Sequence, residues 1–331
     1  MTTQRQISDS QESIPLLNRV IADFERGEHE GDEVKQNALQ QAQLQRERLF
    51  SEVESGWQVP GRMIAYVARF GGEGCGVEER DITAIESMLN SIGRVPNLLL
   101  MIHSPGGSAE TAEKIIDMCR KHCSGTFRVI VPNKAKSAAT LMAFGADAIV
   151  MGYCSELGPI DPQFLLVAGN VPHQISALSV IQARDELLSR IEECRSSGRD
   201  VTPYLAQLNT STMEPAWIRE CERQVAFSND FAVKWLSQYM LRRFHPDWTN
   251  RRLRTKARQI ARNFTSADER WSHGRMIGSE ECARIGLKVE YLEEDNPLWA
   301  NIFEIYTRCD YLLGHYGNVK VILTSDSLLI A

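Results

Sequence analysis

Apolar and polar positions alternate in blocks through the middle of the chain, and these blocks predict strands and helices in turn. Residues 63–70 and 97–102 are apolar runs of strand length, and residues 81–92 between them carry apolar side chains at helical spacing. The blocks that follow predict, in order, a helix at 109–122, a strand at 127–132, a helix at 137–146 and a strand at 148–151. This order favours right-handed crossovers in a parallel sheet and therefore an α/β fold.

The regions on either side of this block have a different pattern. Residues 34–56 are rich in strong helix formers and predict a mostly polar helix. Residues 165–262 are mainly of helical periodicity, with a loop at 196–209, and α/β patterns return later as a short helix at 279–285, a strand at 287–292 and a strand at 319–324. We predict four regions along the chain: an N-terminal polar helical extension at 1–57, an α/β core at 58–165, a mainly helical insertion at 166–265 and a closing α/β segment at 266–331.

Composition narrows the range of partners. Of the 331 residues, 43% are hydrophobic and 24% charged, which is ordinary for a globular protein. A net charge of -6 argues against a protein that coats nucleic acid, although residues 242–262 are rich in arginine. We interpret that stretch as a solvated helix face in preference to a patch for an acidic partner, because charge runs usually face water.

Neither membrane insertion nor metal binding is indicated by the sequence. The chain has no apolar run near the ~18 residues that cross a bilayer, and residues 1–20 lack the apolar stretch of a signal peptide. The eight cysteines form no CxxC pair, so a four-ligand zinc site is not expected. We therefore expect a cytoplasmic protein with reduced thiols, without a metal and without a cofactor.

Candidate chemistry lies in two turns, each of which follows a predicted strand and precedes a helix. In the sequence HSPGGS, Gly106 and Gly107 form either a merely flexible turn or one that exposes backbone N–H groups to a substrate carbonyl. In the sequence KAKSAAT, Ser137 comes directly before a helix of small and apolar residues. Such a serine is commonly a helix N-cap, but the positive end of the helix would also stabilise the oxyanion that a nucleophile generates.

Taken in order, these motifs resemble a known family. The sequence LLLMIHSPGGSAETAE is followed by KAKSAAT, then by GADAIVM and finally by SELGPIDPQ. This succession resembles the serine dehydrogenase proteinase family of the ClpP/crotonase superfamily, which is related to signal peptide peptidase A. The resemblance is strong over residues 63–164 and returns more weakly at residues 273–292.

The resemblance implies a fold, an activity and an assembly. The fold would consist of ClpP/crotonase-like stacked ββα units, to which this chain adds a helical insertion and an N-terminal helix. The activity would be that of an ATP-independent peptidase, with Ser137 as nucleophile and the N–H groups of Gly107 and Ala138 as oxyanion hole. Peptides or proteins would be the substrates, and the chains would assemble into ring-like homo-oligomers. The residues expected to line the substrate are Gly106, Ser108, Pro159 and Asp161.

The general base is less well determined than the nucleophile. Serine needs a base at neutral pH, but the histidine that Clp-type subunits carry in this region has no counterpart at residues 152–155. Relatives of signal peptide peptidase A use a lysine from a later helix, and Lys234 fits because apolar neighbours would desolvate its amine. The alternative for Lys234 is an ordinary surface lysine. Lys136 and His173 are the other candidates for the base.

Two other functions remain open. A crotonase-type enzyme acting on acyl-CoA would share the fold and the oxyanion hole without needing a nucleophilic serine. A non-catalytic oligomeric scaffold or partner-binding subunit would account for the missing histidine and for the long helical insertion. We prefer the peptidase because of the order of its motifs, since a fold alone does not determine function.

Overall fold

The computed structural model describes residue 20 and residues 32–168, 171–208, 213–265 and 274–330, with only the backbone for residues 32–41, 165–168 and 171–173. The strands are β1 (Arg62–Ala68), β2 (Val95–His103), β3 (Cys123–Val131), β4 (Lys134–Ala135), β5 (Ala148–Met151), β6 (Glu156–Leu157), β7 (Gln163–Ala168), β8 (Val171–Ser176), β9 (Ile277–Gly278), β10 (Val289–Tyr291), β11 (Lys320–Leu323) and β12 (Leu328–Ile330). The helices are α1 (Asp32–Ser55), α2 (Arg80–Ile92), α3 (Ala109–His122), α4 (Ala138–Phe144), α5 (Ala177–Ser196), α6 (Thr202–Leu208), α7 (Pro215–Gln238), α8 (Met240–Phe244), α9 (Asn250–Arg262), α10 (Ser279–Ile285) and α11 (Pro297–Tyr316).

The centre of the molecule is a seven-stranded sheet in the order β10-β5-β3-β2-β1-β11-β12. Strands β1, β2, β3, β5 and β10 run parallel, whereas β11 pairs antiparallel with β1 and β12 antiparallel with β11. Parallel neighbours need a crossover connection, and helices α2, α3 and α4 lie in the connections between β1, β2, β3 and β5. The predicted α/β fold, with its parallel sheet and its N-terminal helix, is confirmed.

Both faces of the sheet are covered, which explains why its central strands are continuous apolar runs. Successive side chains of β1 point to opposite faces, so Ile64 packs with α2, α3 and α4 while Met63 packs with α1 and α11. Leu49, Phe50 and Val53 of α1 are buried in the second of these clusters. The carboxyl-terminal part of this mostly polar helix therefore belongs to the core packing.

A small three-stranded sheet, in the order β4-β6-β9, lies beside the end of β2. Strand β4 pairs parallel with β6, and β6 pairs antiparallel with β9. The end of β2 also bridges to β4: the N–H of Ser104 donates to the carbonyl of Lys134 at 3.0 Å, and the N–H of Lys136 donates to the carbonyl of Ser104 at 3.0 Å. The turn that follows β2 is thereby held next to the residues that precede α4.

The helical region contains one element that was not predicted and one prediction that was wrong. Residues 163–176 contain the hairpin of β7 and β8, in which Gln163 pairs with Ser176, because an apolar run of this length satisfies a strand as well as a helix. The predicted loop at 196–209 contains α6. The carboxylate of Asp200 accepts the N–H of Thr202 at 2.9 Å, and Pro203 lies in the first helical turn, where a missing N–H has no cost.

The arginine-rich stretch lies largely on α9, which is strongly two-sided. Its inner face is buried against the rest of the molecule by Leu253, Ala257, Ile260 and Ala261. Arginines occupy the face toward water, and the exposed ones are Arg251, Arg252, Arg254, Arg258 and Arg262.

Candidate active site

Ser137 stands between β4 and α4 in a backbone conformation that L-residues rarely adopt. Its φ is 50° and its ψ is -118°, and among the described residues it alone combines a side chain with a positive φ. Such a conformation costs about 1–3 kcal/mol and persists where the surrounding structure holds it in place. The half-buried hydroxyl neither caps α4 nor forms a hydrogen bond with any described residue, so Ser137 is not a conventional N-cap.

The glycine turn after β2 lies directly against Ser137. Gly106 and Gly107 have φ values of 104° and 141°, which favour glycine. A Cβ placed on Gly106 would lie 2.6 Å from the Cβ of Ser137, 2.7 Å from the carbonyl oxygen of Lys136 and 3.0 Å from the amide nitrogen of Ala138. The two turns that the sequence singled out therefore meet, and a side chain at Gly106 would separate them.

Two backbone N–H groups beside Ser137 have no acceptor in the part of the chain that the structure describes. One belongs to Gly107, whose neighbours are both engaged: the N–H of Gly106 donates to Ser104 Oγ at 3.1 Å, and the N–H of Ser108 donates to the carbonyl of Val77 at 2.9 Å. The other belongs to Ala138, in the first turn of α4, where a helix offers no internal acceptor. Donors of this kind stabilise the negative charge that develops on a carbonyl oxygen during acyl transfer.

The remaining residues that were expected to line a substrate have different surroundings. Ser108 is the N-cap of α3, since its hydroxyl accepts the N–H of Thr111 at 3.0 Å. Pro159 is buried in the turn after β6. Asp161 is half-buried further along that turn, and its carboxylate accepts a hydrogen bond from Gln163 at 2.7 Å. Of these four residues, Gly106 is the one whose packing against Ser137 is direct.

Lys136 is the immediate neighbour of Ser137, but its amine is engaged on the side of the small sheet. The Nζ atom lies 2.9 Å from Glu156 Oε1. It also donates to the carbonyl of Arg275 at 3.0 Å and to that of Leu157 at 3.3 Å. With three acceptors around three N–H bonds, the side chain anchors the small sheet beneath the serine.

Lys234 lies on α7, which packs against α4, but its amine is paired away from the serine. The Nζ atom is 2.7 Å from Glu113 Oε1 and stands over the ring of Trp235, at the edge of an open cavity of about 600 Å³. The side chain is 55% exposed, so the desolvated surroundings expected of a lysine base are absent. Within the described ranges no hydrogen bond joins Lys234 to Ser137. The backbone of His173 belongs to β8, and its side chain lies outside the described residues.

Comparison with known proteins shows which family this site resembles. Residues 39–197 match the family model of the ClpP-like SDH-type serine proteinases. The chain is similar to this family over just under half of its length. The matched segment runs from α1 to the end of α5 and includes Ser137 together with the glycine turn.

The chain also resembles two curated proteins of Methanocaldococcus jannaschii, the uncharacterized proteins MJ0137 and MJ1495. They are 42% and 38% identical to it over 81 residues, which is 24% of this chain. The chain spans only 28% and 27% of the length of these relatives. Among solved structures, a mutant of the 1510-N membrane-bound stomatin-specific protease shares 14% identity, covers 39% of this chain and 63% of its own, and has a TM-score of 0.27.

A buried histidine supports the small three-stranded sheet. His103 lies between the rings of Phe70 and Tyr306, with centroid distances of 5.0 and 4.8 Å, and its Nδ1 accepts the N–H of Lys134 at 3.1 Å. Burial, together with the charge of Lys134, lowers the pKa of His103 to about 4. The ring is therefore neutral at physiological pH, and it holds the start of β4, the strand that leads to Ser137.

Sequence reasoning missed the support on the far side of the glycine turn. Val77 holds this turn by backbone hydrogen bonds, and a buried lysine, Lys320, donates to the carbonyl of Gly76 at 2.6 Å. The available signal was a single lysine in the sequence VKVILT, an otherwise mostly apolar segment that contains β11. Nothing in that signal identified the residues it contacts.

Neither a metal-binding cluster nor a membrane-spanning helix is found among the described residues. Across the described ranges, no three side chains of the metal-binding types His, Cys, Asp and Glu form a group that could hold an ion. The same ranges contain no helix with the length and hydropathy of a membrane span.

Proposed function

We propose that this chain is an ATP-independent serine peptidase that cleaves peptides or unfolded protein segments, with Ser137 as its nucleophile. The observation that carries the proposal is the hydroxyl of Ser137, unbonded to any described residue and held at positive φ beside the glycine turn. The similarity of residues 39–197 to a family of serine proteinases supports the class of reaction. The two unpaired N–H groups support an acyl-transfer mechanism in particular.

In the proposed first step, Ser137 Oγ attacks the carbonyl carbon of the scissile peptide bond. A C–O bond forms, and the electron pair of the carbonyl moves to oxygen, where the N–H groups of Gly107 and Ala138 donate to it. The proton of the hydroxyl passes to a general base and from there to the leaving amine as the C–N bond breaks. Water then hydrolyses the serine ester with the same base. One well-aimed oxyanion donor is worth about 10²–10³ in kcat.

The general base is the part of the mechanism that the observed contacts support least. We propose Lys234 for this role, which requires its amine to leave Glu113, because the ion pair at 2.7 Å occupies it. His173 is the alternative, since a histidine changes its protonation near neutral pH. Lys136 is the weakest candidate because of its three engaged N–H bonds.

A second function has one observation in its favour. In the described part of the chain no amine or imidazole forms a hydrogen bond with the hydroxyl of Ser137, as expected for a non-catalytic scaffold or partner-binding subunit that retains the fold. A serine with no base would not form a covalent adduct at an appreciable rate. Covalent labelling therefore separates this function from the peptidase.

The decisive experiment is reaction of the full-length chain with a fluorophosphonate probe, followed by mapping of the modified peptide by mass spectrometry. We expect one adduct on Ser137, and none in the Ser137→Ala variant. Ser124→Ala is a matched control, because that serine is exposed on β3 and bonds only the carbonyl of Val95. A folded wild-type chain that remains unlabelled, or a Ser137→Ala chain that labels and cleaves unfolded casein like the wild type, would reject the proposal.

The assembly of the chain is a further part of the proposal. We propose ring-like homo-oligomers in the cytoplasm, as the family resemblance implies. Light scattering on the purified chain tests the assembly directly. A mass equal to that of one chain, 37.4 kDa, at micromolar concentration would contradict it.

A further inference from the structure

A buried ion pair lies behind the glycine turn of the proposed site. Lys320 in β11 and Asp81 in α2 are 1% and 3% exposed, and Lys320 Nζ lies 2.8 Å from both carboxylate oxygens. The hydroxyl of Tyr66 and the backbone N–H of Glu78 also donate to Asp81, at 2.8 and 2.9 Å. Two charges usually gain less from such pairing than they lose on leaving water. Stability alone therefore gives a poor account of this pair.

The third hydrogen-bond acceptor of Lys320 lies next to a residue that bonds the glycine turn. Its Nζ donates to the carbonyl oxygen of Gly76 at 2.6 Å. That carbonyl shares one planar peptide unit with the N–H of Val77, and in a trans peptide the two groups point in opposite directions. The described chain contains no cis peptide bond. By fixing the carbonyl of Gly76, Lys320 also fixes the direction of the N–H of Val77.

The same relation recurs in the next peptide unit. The N–H of Val77 donates to the carbonyl of Gly106 at 2.6 Å. The carbonyl of Gly106 is in one plane with the N–H of Gly107, which points the opposite way. A Cβ on Gly107 would lie only 2.4 Å from the nitrogen of Val77, so the two backbones are in close contact here. The N–H of Gly107 is one of the two donors of the proposed oxyanion hole.

We propose that Lys320 is a positioning residue for the oxyanion hole, acting through two peptide units in series. The ammonium group holds the Gly76–Val77 unit, and this unit holds the Gly106–Gly107 unit, whose free N–H then meets the substrate carbonyl. Hydrogen bonds in such a chain polarise one another, so a cation at the far end also strengthens the last donor. Asp81 holds the ammonium group in place. This inference rests on the proposed function, because it assigns a purpose to the amide of Gly107.

We call this path from Lys320 through the two peptide units to the N–H of Gly107 the relay. The test needs variants that remove the relay without leaving a buried charge unpaired. Asp81→Asn with Lys320→Met removes both charges and the donor to Gly76. Asp81→Asn with Lys320→Gln removes both charges but retains an N–H donor near Gly76. The control is Arg128→Met with Glu290→Gln, a half-buried pair at 2.7 Å that joins β3 to β10 and does not contact the glycine turn.

The measurements are the kinetics of p-nitrophenyl butyrate hydrolysis, the rate of fluorophosphonate labelling at Ser137 and the affinity for a trifluoromethyl ketone analogue of the ester. In the methionine variant we expect kcat, labelling rate and analogue affinity to fall about 10- to 100-fold. KM should stay within about twofold, because ground-state binding does not use the oxyanion donors. The glutamine variant should recover part of the loss, and the control should behave as the wild type with a similar melting temperature.

The outcomes separate the two proposals. An unlabelled wild-type chain rejects the proposed function. If the wild-type chain is labelled and the methionine variant keeps the wild-type kcat, the relay is rejected and the proposed function stands. The same conclusion follows if kcat falls equally in the control variant. Tyr66→Phe removes a hydroxyl that bonds Asp81 at 2.8 Å and also lies 3.4 Å from the carbonyl oxygen of Gly76, so it weakens the support of that carbonyl and carries the same test if the methionine variant does not fold. A threefold or greater fall in its kcat at unchanged KM supports the relay, and an unchanged kcat rejects it.

Discussion

The hydroxyl of Thr140 accepts the N–H of Gly158 at 3.1 Å and donates to the carbonyl of Ala135 at 2.7 Å. Thr140 lies three residues after Ser137, inside α4, and is fully buried. Its single hydroxyl therefore joins the helix behind the serine to the turn after β6. The position of Ser137 therefore depends on these two hydrogen bonds as well as on the glycine turn.

Replacing Thr140 by valine removes both hydrogen bonds and leaves the volume of the side chain almost unchanged. We expect Thr140→Val to lower the free energy of unfolding by about 1–2 kcal/mol, because the buried carbonyl of Ala135 loses a donor. Urea denaturation measures the change. Thr255→Val is the control, since Thr255 is exposed on α9, and its effect should stay within about 0.5 kcal/mol. If the two substitutions lowered the free energy of unfolding equally, the hydrogen bonds of Thr140 would not contribute as proposed.

The positive φ of Ser137 predicts an unusual order of stability among inactive variants. Both Ser137→Gly and Ser137→Ala should abolish labelling by the fluorophosphonate. The glycine variant should nevertheless be the more stable of the two by about 1 kcal/mol, because glycine adopts a φ of 50° without strain. Parallel thermal and urea unfolding of the two variants gives the comparison. An alanine variant of equal or higher stability would show that this backbone is not strained.

Gly106 and Gly93 form a matched pair for testing how closely the two turns must approach. Gly106→Ala should reduce ester hydrolysis at least about 100-fold, because the new Cβ would lie 2.6 Å from that of Ser137. Gly93 also has a positive φ, of 74°, but nothing lies within 4 Å of a Cβ built there. Gly93→Ala should therefore cost about 1–2 kcal/mol of stability and leave the rate unchanged. An active Gly106→Ala enzyme would separate the glycine turn from the chemistry.

His103 gives the protein a specific dependence of stability on pH. Its pKa of about 4 lies below the ordinary value of 6.5, so between these values the unfolded chain binds more protons than the folded chain. Stability should fall as the pH drops through this window, by at most about 1.4 kcal/mol per pH unit from this group. His103→Gln retains an acceptor for Lys134 and should lack this contribution. Urea denaturation from pH 4.5 to 7.5 tests the difference between the two proteins, which should change below pH 6.5 and stay constant above it.

The two candidate bases can be compared by single substitutions. If Lys234 is the base, Lys234→Met should lower kcat for p-nitrophenyl butyrate by about 10²–10⁴, and His173→Gln should have little effect. Glu113→Gln should then raise the rate, because it frees the amine from its partner at 2.7 Å. The reverse pattern would assign the role to His173. Wild-type rates in both single variants would exclude both residues.

Local pattern determined much of the fold. The predicted helix at 109–122, strand at 148–151 and helix at 279–285 coincide with α3, β5 and α10, because their ends carry local signals. Ser108 caps the first of these helices, and Gly286, at a φ of 113°, ends the last. The hairpin of β7 and β8 was not predicted, since cross-strand pairing, and not the pattern of either strand alone, decides between strand and helix there.

Part of the site follows from contiguous motifs and part from distant contacts. Gly106 and Ser137 each stand at a junction between strand and helix, and adjacent parallel strands bring such junctions to the same edge of a sheet. The surroundings of Lys234 depend on Glu113, 121 positions away. The apolar neighbours of Lys234 on α7 therefore predicted a desolvated amine, whereas the amine is exposed and paired. The contact between Lys320 and Asp81 spans 239 positions, and no local pattern specifies such a pairing.

The contact between Lys320 and the carbonyl of Gly76 has a consequence for the order in which the chain is synthesised. A growing polypeptide carries both turns and the serine long before residue 320 emerges, 244 positions after the carbonyl that it clamps. Until β11 joins the sheet, the proposed nucleophile lacks the alignment behind its proposed amide donor. A nascent chain on the ribosome would thus react about 10- to 100-fold more slowly, and the full rate would require a strand that is synthesised well after the serine.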